Sequence, residues 1–230
     1  MVDVAANYRR ITDSIADATL KSGRDARQVK LLAATKSQTI ELIRAAVDAG
    51  INLIGENYVQ EAAGKKPLIT GALEWHMIGH LQRNKVKAAV DLFDVFESLD
   101  NLALARELDK EGQRRDKVIR VFVEVNLGGE ESKTGVMEHQ AAALVEQIAS
   151  LSHLRIEGLM SVPPYKEDPE EVRPYFRKLR LLQVKLGESR SLPLELCELS
   201  MGMSHDYKVA IEEGATIVRI GTALFGPRPD

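Results

Sequence analysis

Residues 29–36 read VKLLAATK. The run from Leu31 to Thr35 is uncharged and mostly apolar, the pattern of a strand buried on both faces. It ends in Lys36, and burying an unpaired ammonium group is expensive. Ser37-Gln38-Thr39 follow, and then Ile40, Ile43 and Val47 at helical spacing. Lys36 is therefore expected where a strand hands over to a helix, the end at which α/β architectures bind ligands. The plain alternative is a lysine whose stem packs on the strand while its ammonium group reaches water.

Working outward, the same strand-then-helix unit recurs. Before it, Asp3 is placed to cap a helix whose apolar residues are Val4, Tyr8, Ile11, Ile15 and Ala18, with Gly23 near its end. After it, a helix from about Thr39 to Ala49 is stopped by Gly50. Six further strands are expected at residues 51–57 (INLIGEN), 74–80 (EWHMIGH), 92–100 (LFDVFESLD), 118–126 (VIRVFVEVN), 154–162 (LRIEGLMSV) and 194–202 (LELCELSMG). TIVRIGTALFG at residues 216–226 is the eighth strand. In the second half, Val136, Ala141, Leu144, Val145, Ile148 and Leu151 line one helix face. Asp168-Pro169 reads as a cap with proline in the first turn of a helix burying Val172, Phe176, Leu179, Leu182 and Leu186. A short helix is expected from near Ser204 to Gly214. Eight strands alternating with helices imply one α/β domain over residues 1–230, a single (β/α)8 TIM-type barrel. A doubly wound open sheet shares the pattern and is the second reading, because periodicity does not show closure.

Composition narrows the function classes. Of 230 residues, 44% are hydrophobic and 28% charged, an ordinary globular balance. A net charge of −3 gives no basic footprint for nucleic acid. No apolar run approaches the roughly 20 residues of a membrane span, and MVDVAANYRR lacks a signal-peptide profile. One cysteine, Cys197, rules out an internal disulfide framework and a multi-cysteine metal site. A soluble, cytoplasmic protein is expected.

The last two strands carry the chemistry. A barrel commonly binds phosphate with the loops after its seventh and eighth strands and a nearby helix N-terminus. Those loops here hold Ser204 at a position suited to an N-cap, Gly221 with no side chain to block a close approach, and Thr222 with a hydroxyl. An ordinary cap and a packing glycine are the bland alternatives. Arg219 lies two residues before Gly221 on the same strand face, and its guanidinium cannot shed its charge. Its partner is either a carboxylate at another strand end, such as Glu56 or Glu124, or an acceptor on a ligand. Lysine, phosphate-binding groups and a buried arginine at one barrel mouth suggest a phosphorylated aldehyde, pyridoxal 5′-phosphate (PLP).

The segments ATK, GENYVQE, WHMIGHLQRNK, EGLMSVPP and LSMGMSHDYKVAIEEGATIVRIGTALFG resemble the pyridoxal phosphate homeostasis protein family (YggS/PROSC, PLPBP) over essentially the whole chain. The resemblance implies the barrel of the alanine racemase N-terminal domain, fold type III among PLP proteins. It implies a Schiff base between PLP and Lys36. Ser204, Gly221 and Thr222 match the phosphate-binding segment, with Ser200 and Met203 as neighbours. Arg219 matches the arginine facing the pyridine nitrogen, and Asn57 the asparagine beside the ring. His80 stands where members vary, and His205 where relatives often carry aspartate; neither is given a role. The family acts in intracellular PLP (vitamin B6) homeostasis without robust catalysis. PLP-dependent apoenzymes are the implied partners, and a monomer is expected.

The chemistry agrees. Lysine attacks an aldehyde as the free amine, which partial burial and the charge of Arg219 favour. Arg219 has only donors, so it would keep the pyridine nitrogen unprotonated and the ring a weaker electron sink. Racemases with the same arginine add a tyrosine base from a second domain, and residues after the eighth strand number too few here to form one. A PLP-dependent amino-acid racemase-like enzyme is the alternative; a barrel aldolase using Lys36 on a sugar phosphate is the third, weakened by a lysine on strand one. His76 and His80 do not make a zinc site, lacking helical convergence and an acidic partner motif. GEESKTG at residues 129–135 is a polar loop without phosphate-loop spacing. Lys65-Lys66 and Arg114-Arg115 are read as solvated faces.

Overall fold

The computed structural model describes residues 2–130, 133–188 and 196–227. Helix α1 (Val4–Lys21) begins where Asp3 accepts the Ala6 N–H at 2.9 Å and buries Val4, Ile11, Ile15 and Ala18. Strand β1 (Lys30–Ala34) leads to α2 (Ile40–Ala49), capped by Thr39 and ended by Gly50 at φ 120°. The alternation continues through β2 (Leu53–Glu56), α3 (Val59–Lys65), β3 (Glu74–Met77), α4 (Val86–Leu92), β4 (Val95–Leu99) and α5 (Leu102–Arg114). Next come β5 (Ile119–Asn126), a two-residue strand β6 (Val136–Met137), α6 (Glu138–Ala149), β7 (Leu154–Met160) and α7 (Arg173–Gly187). The chain finishes with β8 (Glu198–Met203), α8 (Tyr207–Glu212), β9 (Ile217–Ile220) and α9 (Thr222–Phe225).

The strands pair in parallel in the order β4-β3-β2-β1-β9-β8-β7-β5, and a further β4–β5 pairing closes the ring. This is a TIM barrel of eight strands surrounded by helices, with β6 an outer addition to β5. The open sheet is thereby set aside. Leu32, Leu53, Val95, Phe122, Met160 and Ile217 form an apolar cluster inside the barrel. Outward residues of the barrel strands, such as Ala33, Ile54, Trp75 and Phe96, pack with the helices in the larger core. Strands buried on both sides explain the near-continuous apolar runs.

Element ends depart from expectation where a side chain or turn intervenes. The fourth strand starts at Val95, because Leu92 completes α4 and Asp94 instead accepts the Trp75 N–H through its carboxylate at 2.8 Å. Val136 belongs to β6, ahead of the helix whose face it was expected to line. The eighth strand stops at Ile220, and Thr222–Phe225 coil into a helical turn. For the seventh, Leu194 and Glu195 lie outside the described residues, and the strand begins at Glu198. The helix expected from Ser204 begins at Tyr207, with Asp206 in the N-cap position.

Candidate functional site

Strand register alone assembles most of the site. Leu32 and Ile217 face the barrel interior, so alternation turns Ala34 on β1 and Arg219 on β9 to the same side. Leu32 is paired with Arg219 and Ala34 with Gly55. Ala33 is paired with Ile220, which sets Gly221 level with Ala34, and Lys36 and Asn57 follow just past the ends of β1 and β2. A cavity of about 320 Å3 opens beside Asn57, lined also by Tyr58, His80, Gln82 and Lys85.

The turn bearing Lys36 is held from outside the barrel. Gln38 N–H donates to the Thr35 carbonyl at 3.1 Å, and Ser37 takes φ 60°, a conformation side chains rarely adopt. Ser37 N–H donates to Glu61 Oε2 at 2.9 Å. Lys65 Nζ donates to the Thr35 carbonyl at 2.8 Å and to Glu56 Oε1 and Glu61 Oε2 at 2.7 Å each. Lys65 is thus a buried clamp rather than part of a solvated face. Lys66 likewise hydrogen-bonds the Leu92 carbonyl and lies over the Trp75 ring, and Arg115 pairs with Asp91 and Glu111. Burial pushes the Glu56 carboxyl up, against the pull of Lys65 and Thr35.

Ser204, Gly221 and Thr222 meet where β8 and β9 end. Ser204 does not cap α8; its hydroxyl accepts the Ala223 N–H at 3.2 Å and so joins the two segments. A Cβ built at Gly221 would come no closer than 3.5 Å, to the Ala34 carbonyl oxygen, so the chain itself leaves this position open. Thr222 is exposed and Ser204 half-buried beside it. Hydroxyls and backbone N–H groups gathered in this way suit an oxyanion.

Arg219 is 5% exposed and binds neutral oxygens. Nη1 donates to the Ser200 carbonyl and to Ser200 Oγ, both at 2.7 Å, and Nη2 to the Ser161 carbonyl at 2.8 Å. Neither expected carboxylate is its direct partner: Glu56 is taken by Lys65 and Thr35, and Glu124 accepts from Thr134 at 2.6 Å. Burial pushes the guanidinium pKa down, opposed by the charges of Glu97, Glu124 and Asp206. Ser200 is correspondingly a partner of Arg219 and not a member of the oxyanion segment. Met203 pairs in register with Arg219.

The remaining marked residues lie around this centre. His80 is exposed at the rim. His205 faces outward, its Nε2 2.9 Å from the Glu167 carbonyl and its ring 5.3 Å from that of Tyr165. In GEESKTG, Glu131 and Ser132 lie outside the described residues; Asn126 closes the loop by accepting the Gly129 N–H at 3.0 Å and donating to the Glu130 carbonyl at 2.9 Å. Sequence reasoning missed Glu61 and Glu97, and it did not find the contacts of Lys65, His76 and Ser200. The Glu61–Lys65 spacing of four was a usable signal; the others sit in apolar strands whose facing partners are distant in sequence.

An amine at one strand end, an oxyanion cradle beside it and a buried donor-only guanidinium fit an aldehyde that also carries a phosphate and a basic ring nitrogen. Comparisons agree with this chemistry. Residues 6–229 match the model of the alanine racemase N-terminal domain. The pyridoxal phosphate homeostasis protein of Aquifex aeolicus is 47% identical over 220 residues, 95% of this chain and 96% of that one. Its Escherichia coli K12 namesake is 36% identical over 232 residues, 99% and 98% of the two chains. PipY of Synechococcus elongatus, solved with PLP bound, superposes with TM-score 0.82 at 35% identity, covering 94% of this chain and 100% of that one. Alanine racemase of Clostridium difficile shares the fold alone, at TM-score 0.76 and 13% identity, with 99% of this chain covering 57% of it.

Proposed function

The chain belongs to the pyridoxal phosphate homeostasis proteins, within the family of the alanine racemase N-terminal domain, and from that premise we propose that it holds pyridoxal 5′-phosphate covalently at Lys36 and serves vitamin B6 homeostasis without turning over amino acids. What supports this reading is that Lys36, Asn57 and Gly221 follow the ends of the adjacent strands β1, β2 and β9, with Arg219 inside β9 and the Ser204–Ala223 junction beyond it. The PLP-bound PipY structure supports it.

Each residue has a distinct task. When bound, the cofactor supplies an aldehyde for the lysine and an electron-accepting ring. Lys36 Nζ provides the covalent attachment, reacting as the free amine. The Glu61–Lys65 clamp fixes the turn from which Lys36 projects. Ser204, Thr222 and the Gly221 backbone hold the phosphate, and Asn57 flanks the ring. Arg219 presents hydrogens to the pyridine nitrogen and so leaves that nitrogen without a proton of its own. A guanidinium fixed this way supports storage better than carbanion chemistry, which favours a carrier over the racemase-like alternative. The whole of residues 1–230 acts as one PLP-binding domain, a cytoplasmic monomer passing cofactor to PLP-dependent apoenzymes. Among the described residues no helix is long and apolar enough to cross a membrane.

Protein loaded with PLP, reduced with borohydride and digested should carry the pyridoxyl group on Lys36, and Lys36→Ala should not be labelled. Labelling of another lysine instead would overturn the assignment. Loaded wild type incubated with alanine in deuterated water should show little α-proton exchange; turnover of roughly 1 s⁻¹ or faster would refute the carrier half and promote a racemase.

A further inference from the structure

A line of alternating charges crosses the barrel interior behind Arg219. Ser200 Oγ, which accepts from Arg219 Nη1 at 2.7 Å, donates in turn to Glu97 Oε2. Glu97 is on β4, which is not a neighbour of β8 in the ring, so its carboxylate spans the lumen. Its other oxygen lies 2.5 Å from His76 Nδ1. His76 Nε2 is 2.8 Å from Glu74 Oε1, at the opening residue of β3, and Arg120 Nη1 is 3.2 Å from the same oxygen. His76 is 1% exposed and Glu97 fully buried, whereas Glu74 reaches solvent at the opposite barrel end.

Such groups stay buried only when paired, and a half-satisfied network is costly. Each member here has a partner on both sides. The arrangement places a negative charge one hydroxyl away from the guanidinium, which orients Arg219 without occupying it through a direct carboxylate fork. Burial works against a charged His76, yet Glu74 and Glu97 outweigh it and raise its pKa to about 9. The imidazolium is thereby the fixed point that keeps Glu97 ionised and aimed at Ser200; burial opposes the Glu97 charge, but His76 and Arg219 hold its pKa down.

We propose that His76, acting through Glu97 and Ser200, is a positioning residue that holds Arg219 in the orientation needed to meet the pyridine nitrogen of PLP. The inference rests on the cofactor reading above. His76 touches no part of the ligand site; its effect passes along hydrogen bonds.

The test is PLP titration of the apo-protein, followed by the visible band of the bound cofactor, with thermal unfolding of each apo-variant in parallel. His76→Leu and Ser200→Ala should each bind PLP about 10- to 100-fold more weakly, the scale of one charge-assisted hydrogen bond. Both should move the visible band. His76→Asn, which keeps a donor toward Glu97, should recover much of the affinity. In an Arg219→Met background, His76→Leu should change affinity by less than about twofold, since a residue acting through Arg219 has nothing left to position. If His76→Leu fails to fold, Ser200→Ala reads the same link. Equal affinity of wild type, His76→Leu and Ser200→Ala, with wild type loaded on Lys36, would overturn this inference alone. Losses that add fully to that of Arg219→Met would do the same. A wild type that takes no PLP onto Lys36 would overturn the cofactor reading and this inference together.

Discussion

Ser204 shows how one hydroxyl can serve both fold and ligand. It accepts the Ala223 N–H at 3.2 Å, so it ties the end of β8 to the first turn of α9, while its hydrogen stays available to an oxyanion beside Gly221. Thr222 is exposed, and removing its hydroxyl costs the fold little. The double variant Ser204→Ala/Thr222→Ala should therefore weaken PLP binding far more than it lowers stability. Hydrogen bonds to a charged phosphate contribute about 1.5–3 kcal/mol each. Titration with PLP should find a loss of at least about 3 kcal/mol for the pair, and unchanged affinity would remove both hydroxyls from the phosphate site.

At the scale of elements, the site depends on how β8 turns into α8. Gly202 takes φ 93°, and a Cβ there would lie 2.6 Å from the Ala210 Cβ and 3.0 Å from the Tyr207 Cα. Strand and helix touch at this point because no side chain separates them. Gly202→Ala combines a disfavoured backbone conformation with a clash against neighbours that have little room to move. A cost of at least about 2 kcal/mol is expected, lowering Tm by roughly 4–8 °C. PLP affinity should fall too, since Ser204 follows two residues later. A thermal scan showing wild-type Tm would contradict the close packing of β8 on α8.

For the whole molecule, the barrel interior makes stability sensitive to pH. His76 has an ordinary pKa of 6.5, raised in the folded chain to about 9 by Glu74 and Glu97 against the effect of burial. Glu74 is held down to about 2, first by its hydrogen bond to His76, with the charges of His76 and Arg120 adding. A group whose pKa rises on folding stabilises fully below its unfolded pKa and loses that contribution as pH climbs through the folded value. The His76 contribution is therefore present below about 6.5 and lost by somewhat above 9, a change on the order of 3 kcal/mol. Glu74 behaves oppositely, its contribution fading only as pH falls toward 2. Denaturant unfolding of the apo-protein should show stability declining across the His76 window, and His76→Leu should flatten that decline. An equally steep decline in the variant would place the titration elsewhere.

Local patterns carried much of this protein in its sequence. Apolar runs such as Leu31 to Thr35, helices punctuated by Thr39 and Gly50, and strand-end residues such as Lys36 and Gly221 depend on near neighbours, so the βα alternation and one end of the site were readable directly. That Lys36, Asn57 and Gly221 follow the ends of three neighbouring strands then comes from the parallel order β2-β1-β9. Tertiary structure alone decided the rest. Ring closure rests on the β4–β5 pairing, which no local period encodes. Lys65 looked like a surface charge until α3 brought it between Glu56 and Glu61. The line from Arg219 through Ser200 and Glu97 to His76 exists because a closed barrel sets β8 and β4 face to face across its lumen. Residues 103 apart in sequence meet there, and burial then compels their charges to pair.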